Sequence, residues 1–512
     1  MSKEIELKLS LDPKAAARVA RLPILQRLAA GKPAIRSLRS TYYDTPDAAL
    51  RSAHLSLRVR RVGRAWVQTL KADGTAAGGL HVRIESEQRV AIGALDPGKI
   101  EDARTRKKLC RLYDRGELAP RFETFVRRTT WLLHTADGGV VECALDRGRV
   151  QTADGRRHAP LCEVELELKS GSPAALYDIA RELSRSLPLK PEDRSKAERG
   201  YALWLREPLT KPSKASVLLL NTQSSAGEAL AQILRNGLAH LQRNCHAAQV
   251  SSRYDPEHVH QMRIASRRLR AALGLFAQTD SALQVHALEG ELRWLAGLAG
   301  DARNWDVFLA ETLPKFAATF PAEPALRILK RRAGMQRRRA RLALGAALHS
   351  SRYFALELDI SELVTALDQR PALALPVLPA AASVLALRDR RLRKRARNWA
   401  ELAAPDRHAL RIAAKKLRYT AEFFGALFPG RKLDRFLRKL SALQDTLGFL
   451  NDLATMRALL CELPAGQGAR VQRALGLCIG WSTGLEEGNL KEVERSWKGV
   501  KQAPRFWTGQ DR

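Results

Sequence analysis

The feature that most constrains this chain is a change of hydrophobic period near residue 205. Before it, charged and apolar residues alternate in short runs such as EIELKLS, SLRVRRV, HVRIESEQRV and CEVELELKS. A period of two is typical of β-strands whose two faces differ. From about residue 226 the chain consists of long Ala-, Leu- and Arg-rich stretches with helical periodicity. The sequence therefore predicts an α+β multidomain protein, with an antiparallel sheet first and an all-α domain second.

The segment between the two parts reads REPLTKPSKASVLLLNTQSS. Its two prolines and several small polar residues are typical of a linker. We therefore expect a first domain at residues 1–205, a linker at 206–225 and a helical domain at 226–505. Within the first domain, the stretches 14–30, 97–115 and 174–187 are predicted to be helices that flank the strands.

The formal net charge of the 512 residues is +33. Self-repulsion of this size indicates a polyanionic partner, and nucleic acid, an anionic membrane and polyphosphate all qualify. The arginines lie in patterned rows rather than in tails, which favours a polyanion over a generally basic, solvated surface.

The six cysteines are scattered, form no CxxC motif, and are predicted to be small buried side chains in a reducing compartment. The N-terminal residues are charged and lack the apolar region of a signal peptide. The apolar stretch 371–387 contains three prolines, so we predict an interhelix segment and a helix start rather than a membrane span. Together these features predict a cytoplasmic protein with no membrane partner.

Charged residues in the first domain recur at every second position, so they share one face of each strand. Such rows are costly in a dry core but suit the interior of a hydrated barrel. An ordinary solvated sheet face would explain any single row, but six rows in one domain favour a polar barrel interior. The rows are Glu4, Glu6 and Lys8; Arg58 and Arg60; Thr69 and Lys71; Arg83, Glu85 and Glu87; Glu142 and Asp146; Glu163, Glu165 and Glu167.

An interior that carries both signs of charge suits a metal–polyphosphate complex. Carboxylates are the ligands that Mg²⁺ and Mn²⁺ prefer, and Arg and Lys bind phosphate oxygens. The metal would offset the repulsion between carboxylate and phosphate.

Residues Glu4-Ile5-Glu6-Leu7-Lys8 match the ExExK signature of the CYTH, or triphosphate tunnel metalloenzyme, family. Over residues 1–205 the sequence resembles that family in an ordered set of further motifs: Tyr42-Tyr43-Asp44-Thr45, Leu57-Arg58-Val59-Arg60, Thr69-Leu70-Lys71, Arg83-Ile84-Glu85, Asp146 with Gly148, Glu163-Val164-Glu165, and Ser195-Lys196. The resemblance implies an eight-stranded antiparallel tunnel that binds triphosphate and hydrolyses it with Mg²⁺ or Mn²⁺.

Carried onto these positions, the resemblance suggests a role for each charged residue. Glu4, Glu6 and Glu165 would hold a metal, while Glu163, with Glu167, would assist a second metal or position the attacking water. Glu85 and Asp146 would ligate metal or orient the bases, and Tyr42, Tyr43 and Asp44 are interpreted as a turn anchor. Arg127 and Arg128 both qualify as the family's mid-barrel arginine, with spacing favouring Arg128. The phosphate-binding set is Lys8, Arg58, Arg60, Lys71, Arg83, Arg128 and Lys196.

The helical half contains an internal repeat with an offset of 148 residues. The segment from His260 to Arg270 parallels the segment from His408 to Arg418. In each copy a glycine, Gly300 or Gly448, lies 40 positions after the histidine. We predict a glycine turn at each of these positions and two pseudo-twofold-related helical bundles.

Within each copy, His and basic residues at i, i+3, i+7 and i+10 form one stripe on a helix. The stripes are predicted to bind a linear polyanion, and no carboxylate or Cys completes a metal site with the histidines. The residues are His260, Arg263, Arg267 and Arg270 in the first copy, and His408, Arg411, Lys415 and Arg418 in the second.

The two His-x-x-Arg helices and the Leu443–Gly448 turn resemble the CHAD, or conserved-histidine α-helical, domain over about residues 220–505. Where that family usually has Arg-Asp-x-Asp, this chain has Arg303-Asn304-Trp305-Asp306. The resemblance implies binding of long-chain polyphosphate, often as the partner of a CYTH domain in one chain.

The function predicted from the sequence is hydrolysis of inorganic triphosphate to diphosphate and phosphate in the tunnel, with polyphosphate binding by the helical domain. Polyphosphate granules are a candidate location. The alternatives are adenylate cyclase or thiamine triphosphatase activity in the same tunnel, or a non-catalytic polyanion scaffold. The acidic set in the barrel and the absence of RNA-binding aromatic motifs argue against nucleic acid.

Overall fold

A computed structural model describes residues 2–91, 93–207, 211–250, 254–277, 285–367, 370–399, 402–462 and 469–508. It divides into two compact units: residues 1–211 with 349–365, and residues 212–348 with 366–512. Among the described helices, none is both long and apolar enough to span a membrane.

The first unit is built on nine antiparallel strands. They are β1 (Ser2–Leu11), β2 (Ala34–Asp44), β3 (Leu55–Val62), β4 (Ala65–Ala77), β5 (Leu80–Val90), β6 (Ala119–His134), β7 (Val140–Thr152), β8 (His158–Ser170) and β9 (Leu189–Pro191). The strand order is β5-β4-β3-β2-β6-β7-β8-β1-β9, and a further pairing of β1 with β5 closes the first eight strands into a barrel. The predicted eight-stranded antiparallel tunnel is therefore confirmed.

Seven α-helices are present among the described residues of this unit. They are α1 (Ala16–Val19), α2 (Pro23–Leu28), α3 (Ala49–Ser52), α4 (Ala103–Asp114), α5 (Ala174–Ser184), α6 (Lys196–Trp204) and α12 (Ser351–Ala366). Strand β1 shows how they cover the barrel. Its apolar residues Leu7 and Leu9 are fully buried on the outer face, in a core shared with α1, α2, α5 and α12. The intervening charged residues of β1 consequently turn toward the interior.

Helix α12 comes from the middle of the helical half of the sequence but packs within the first unit. Phe354 and Leu358 enter the apolar core of the barrel. The Tyr177 hydroxyl on α5 lies 3.1 Å from Ser361 Oγ and 2.9 Å from Thr365 Oγ1, and Arg181 forms a 2.9 Å ion pair with Asp359. The barrel core is thus completed by residues far along the chain.

The second unit is all-helical. Its helices are α7 (Ala226–Val250), α8 (Pro256–Leu273), α9 (Val285–Val307), α10 (Leu313–Thr319), α11 (Leu326–Leu348), α13 (Val377–Arg395), α14 (Ala404–Phe424), α15 (Arg431–Cys461) and α16 (Ala469–Gln502). Helix α7 contacts α8, α8 contacts α9, and α9 contacts α11. In the same way, α13 contacts α14, α14 contacts α15, and α15 contacts α16. Helix α8 also contacts α14. The first residues of α8 and α14 are 148 positions apart, as the repeat predicts.

The predicted glycine turns are wrong. Gly300 lies inside α9 and Gly448 inside α15, and a Cβ at either position would meet nothing within 4 Å. Buried residues on both sides, such as Leu295 and Leu447, keep these helices packed. That packing outweighs the roughly 1 kcal/mol that an interior glycine costs a helix.

The expectation of uniformly buried cysteines is only partly met. Cys143, Cys162, Cys245 and Cys478 are buried, but Cys110 is half-buried and Cys461 is exposed. The proline-containing stretch forms a turn followed by the start of α13 at Val377, as expected.

Candidate functional site

A cavity of about 750 Å³ runs through the barrel of the first unit. Its walls are the inward-facing positions of the strands, together with the start of α6. Among the described side chains, eight acids and seven bases line it: Glu4, Glu6, Glu85, Glu87, Glu101, Glu142, Glu165 and Glu167, and Lys8, Arg58, Arg60, Lys71, Arg128, Lys169 and Lys196. Such a lining can hold a polyanion and a cation at the same time.

Helix α6 places Lys196 at the centre of the acidic residues. Ser195 caps this helix in a capping box with Glu198, which fixes the first turn where Lys196 lies. The Lys196 ammonium is 2.7 Å from Asp146 and 2.7 Å from Glu165, and it also donates to Glu163. The three carboxylates lie close enough together to bind one cation, and in this structure that cation is Lys196.

The charges of this centre hold one another ionised. Burial alone would raise the pKa of Glu165, but Lys196, Lys8 and Arg128 hold it well below its usual value. Lys196 and Arg128 likewise lower the pKa of Asp146 against the effect of burial. Because it stays anionic, Glu165 can orient these bases but is a poor proton acceptor.

The structure separates the two candidate mid-barrel arginines. Arg128 faces the cavity, where its Nε donates to Asp146 Oδ1 over 2.8 Å and its guanidinium also bonds Glu165. Arg127 is exposed on the opposite face of β6. The alternation of the strand accounts for the difference.

A second acidic group lies toward the other end of β8. Glu167 is a cross-strand neighbour of Glu6 and of Glu142. Burial raises the pKa of Glu167 and the charges of Glu4 and Glu142 add to the increase, although Lys169 opposes it from 2.6 Å. The four acids Glu4, Glu6, Glu142 and Glu167 share three lysines, Lys71, Lys8 and Lys169, so their negative charge is only partly neutralised.

These carboxylates fit a hard divalent cation better than the group around Lys196. One oxygen of Glu6, Oε1, is buried and accepts no hydrogen bond within the described part of the chain, although Lys8 Nζ lies 3.0 Å away. The Lys169 side chain is 39 % exposed and can move away from Glu167 to admit a cation, whereas the Lys196 side chain is 7 % exposed. Mg²⁺ or Mn²⁺ held here would polarise phosphoryl oxygens and offset their charge.

Arg58 and Arg60 project from β3 into the cavity beside Tyr42. Burial, with the neighbouring Arg58 and Arg128, lowers the pKa of Arg60 to about 10. Burial would raise the pKa of Tyr42, but Arg58 and Arg60 lower it. Arg58 lies 3.5 Å from Glu85, whereas the charge of Arg60 is the less compensated of the two, so an anion bound at Arg60 would complete the site.

Of the other predicted tunnel residues, Glu4 and Lys71 face the cavity and form a 2.9 Å ion pair. Glu163 does not line the cavity; it lies behind Lys196 and forms a 3.0 Å ion pair with Arg199. The side chain of Arg83 lies outside the described part of the structure, while its backbone pairs with Glu4.

The interpretation of residues 42–44 as a turn anchor holds for Asp44. Its carboxylate accepts from the backbone N–H groups of Thr45 and Leu50 and from the Tyr201 hydroxyl. Tyr42 instead lines the cavity, and Arg199 and Lys169 were not predicted at all. The alternation of β2 and β8 placed Tyr42 and Lys169 on inward faces and could have identified both.

A smaller cavity of about 180 Å³ lies between helices α8, α9, α14 and α15 of the second unit. Five of the eight predicted polyphosphate-binding residues line it, namely His260, Arg263, Arg267, Arg411 and Lys415. Arg303 adds a further cation, and Asn304 accepts a 3.2 Å hydrogen bond from Arg263. We call this cavity the helical cleft.

The other three predicted residues do not line the helical cleft. His408 Nδ1 bonds Asn451 Oδ1 at 2.8 Å, and Arg418 forms a 3.0 Å ion pair with Glu422. Arg270 lies beside Arg293 and Glu289 instead. Each stripe turns with its helix, so the last residue of both stripes and the first residue of the second stripe leave the face that lines the helical cleft.

Cations in the helical cleft destabilise one another. Burial, followed by Arg267, Arg411 and Arg263, lowers the pKa of Lys415 to about 6. Burial, followed by Arg267 and Arg411, lowers the pKa of Arg263 to about 10. Asp452 is the acid that opposes both shifts.

Comparison with known proteins gives a domain assignment for each half. The sequence matches the CYTH domain family over residues 2–201 and the CHAD domain family over residues 232–461. An inorganic triphosphatase of Haemophilus influenzae is 32% identical over 221 residues, which is 41% of this chain and 57% of that protein. This chain therefore matches little more than half the length of that relative.

Among solved structures, the CHAD domain from the plant Ricinus communis is 33% identical in sequence. The similarity covers 58% of this chain and 99% of the plant domain, with a TM-score of 0.52. The helical fold of the second half is therefore that of a known domain.

Proposed function

The chain joins a CYTH domain to a CHAD domain, and from this we propose that it hydrolyses inorganic triphosphate in the barrel and binds polyphosphate in the helical cleft. The reaction would transfer the terminal phosphoryl group to water, breaking one P–O anhydride bond and releasing diphosphate and phosphate. The observation that carries the proposal is the lining of the barrel cavity by interleaved acids and bases.

Two sets of side chains would divide the work. Lys8, Arg58 and Arg60 would bind the phosphate oxygens and stabilise charge on the leaving diphosphate. Glu4, Glu6 and Glu167 would hold Mg²⁺ or Mn²⁺, hard cations that suit carboxylates whose charge is only partly neutralised. Lys196 and Arg128 would keep the carboxylates oriented.

The similarity to the Haemophilus protein supports inorganic triphosphate over the alternatives of ATP and thiamine triphosphate. It also favours an enzyme over a non-catalytic scaffold. A substrate panel with Mg²⁺ and with Mn²⁺ decides: faster turnover of ATP or thiamine triphosphate than of tripolyphosphate would contradict the proposal.

Phosphate release by Glu6→Gln and Lys8→Met proteins tests the tunnel directly. Each change removes a group that would touch the complex, and we expect a rate loss of about 100-fold or more. Glu182→Gln is the matched control, because Glu182 lies on α5 and pairs with Arg27 outside the cavity. Near wild-type rates in both tunnel variants would rule out the assignment.

Arg263→Ala with Arg411→Ala tests the helical cleft. We expect weaker binding of long-chain polyphosphate and a shallower salt dependence, because two phosphate contacts are lost. Arg418→Ala is the control, since Arg418 belongs to the same stripe but does not line the helical cleft. Equal losses in both, or displacement of polyphosphate by RNA at lower concentration, would favour a general polyanion scaffold.

A further inference from the structure

We propose that helix α4 provides a second polyphosphate-binding surface, outside the tunnel, for the part of a long chain that the tunnel does not enclose. This inference rests on the function proposed for the tunnel. The surface is an open groove of about 770 Å³ formed by α4 together with Ala53 and Leu55. We call it the α4 groove.

The α4 groove is lined by one continuous row of cations. Arg104, Lys107, Lys108 and Arg111 occupy positions i, i+3, i+4 and i+7 of the helix, and Arg115, which caps its C-terminus, continues the row at i+11. All five are exposed. Within the described residues the first four form no ion pair, and Arg115 lies 3.8 Å from Glu117. A mobile polyanion would relieve the repulsion along this row.

The opposite side of α4 fixes the helix to the barrel wall. Leu109 is fully buried in an apolar cluster with Leu57 of β3 and Leu70 of β4. The inward faces of these same strands carry Arg58 and Lys71 into the tunnel. Cations therefore lie on both sides of a layer that consists of one sheet and one helix.

The tunnel and the α4 groove approach each other at two points of the chain. Ser56 lines the tunnel and the adjacent Leu55 lines the groove. Glu101 lines the tunnel, and α4 begins two residues later. Arg106 donates to the Ile100 carbonyl over 2.9 Å, which holds this rim in place. Since Ser56 and Leu55 face opposite sides of the sheet, the rim at Glu101, next to the start of α4, is where an extended phosphate chain would pass from one cavity to the other.

The chemistry of the α4 groove favours polyphosphate over other polyanions. Leu109 is buried, and the apolar side chains that α4 leaves accessible, Leu112 and the exposed Tyr113, are too few to form a face that inserts into a lipid surface. The ligand that would fill the adjoining tunnel is a triphosphate. A longer chain of the same units extends that ligand without any new kind of recognition.

The test uses the full chain with Arg263→Glu and Arg411→Glu, which suppress binding in the helical cleft. In this background we compare Arg104→Glu/Lys107→Glu/Arg111→Glu with Lys14→Glu/Arg18→Glu/Arg21→Glu. The second set makes the same change of charge at exposed positions of the same unit that do not line the α4 groove. Equilibrium binding of fluorescently labelled long-chain polyphosphate and hydrolysis of tripolyphosphate are measured at physiological salt, where distant charges are screened.

We expect the α4 variant to bind the long chain roughly tenfold more weakly than the control, because three phosphate contacts are lost. Its kcat/KM for tripolyphosphate should stay within about twofold of the control, since the short substrate does not leave the tunnel. Equal affinities in the two variants, or displacement by RNA as effective as by unlabelled polyphosphate, would overturn the inference. Failure of the unaltered chain to hydrolyse tripolyphosphate would instead refute the proposed function, and the binding comparison would still test the α4 groove.

Discussion

Lys196 is the residue on which most of the buried charge of the tunnel converges. Three carboxylates, from Asp146, Glu163 and Glu165, contact one ammonium group that is almost completely buried. Removal of one partner from such a group leaves the others charged without compensation, which is far more costly than loss of an exposed ion pair. This contrast gives a stability prediction that depends on pH.

We expect Lys196→Met to lower the free energy of unfolding by about 3 kcal/mol at pH 7. The pKa values of Asp146 and Glu165 are depressed in the folded protein, so their ionisation stabilises it above the unfolded pKa near 4 and the effect is lost as pH falls. Without Lys196 those pKa values should rise. The difference from wild type should therefore shrink at pH 4, as measured by urea unfolding, with Lys190→Met as control. An equal loss at both pH values would show that Lys196 acts by packing.

Lys415 in the helical cleft should change its charge when polyphosphate binds. Because the pKa of Lys415 is lowered to about 6, this side chain is mostly neutral at pH 8 and charged below pH 6. A bound polyanion should restore its charge, so polyphosphate binding at pH 7.5 should take up a proton and strengthen as pH falls toward 6. Titration calorimetry in buffers of different ionisation enthalpy measures the uptake. Lys415→Met should abolish it, whereas Lys416→Met on the neighbouring face should not.

Helix α6 illustrates how an element positions a functional side chain. Gly200 of this helix packs against the Phe122 ring, and a Cβ there would lie 2.1 Å from two ring carbons. The ring cannot yield easily, because Phe122 is fully buried and stacks on Tyr42 at 4.7 Å between ring centroids. The closeness of this contact determines where Lys196 lies, four residues earlier on the same helix.

Gly200→Ala should therefore displace α6. We expect a loss of about 1–3 kcal/mol in stability from overpacking, and a fall in triphosphate hydrolysis larger than the unfolded fraction explains. Gly448→Ala, in an open helical position, should be neutral or slightly stabilising. Thermal unfolding measures the loss of stability, and hydrolysis assays well below the unfolding transition measure the loss of activity in folded protein. Full activity in folded Gly200→Ala protein would show that Gly200 does not position Lys196.

Alternation along each strand was enough to predict which charged residues share a face, and the repeat was enough to predict the pairing of α8 with α14. The alternation was not enough to predict which rows of charged residues meet inside the barrel. Lys71 pairs with Glu4 and Arg128 with Asp146 because of strand register and barrel closure, which depend on contacts far apart in sequence. The helices through Gly300 and Gly448 were missed because tertiary packing outweighs local propensity.

Helix α12 shows that a compact unit of this protein is not one continuous stretch of sequence. This helix belongs to the compact unit of the barrel although the segments on either side of it belong to the helical unit. No local pattern marks this arrangement, because an amphipathic helix carries no information about which core receives its apolar face. The stability of the barrel consequently depends on a helix that comes from the second half of the sequence.

Leu358→Asp in α12 tests this link. The change places a charge in the apolar core of the barrel, where Leu358 is fully buried, and should cost several kcal/mol. Triphosphate hydrolysis should be lost at a lower temperature than in wild type. Leu342→Asp, at an exposed position of α11, is the control and should leave the thermal profile of hydrolysis unchanged. Equal profiles for the two variants would show that the barrel is stable without this contact.

The pairing of β1 with both β5 and β8 has a consequence for synthesis on the ribosome. The first strand to emerge has neither neighbour until residue 80 and lacks the second until residue 158. In a nascent chain, Glu4, Glu6 and Lys8 therefore lack their neighbouring strands during most of the translation of the domain. Contacts between residues so far apart in sequence also form slowly. Ribosome stalling before β8 is therefore expected to yield chains that are protease-sensitive and unable to bind triphosphate.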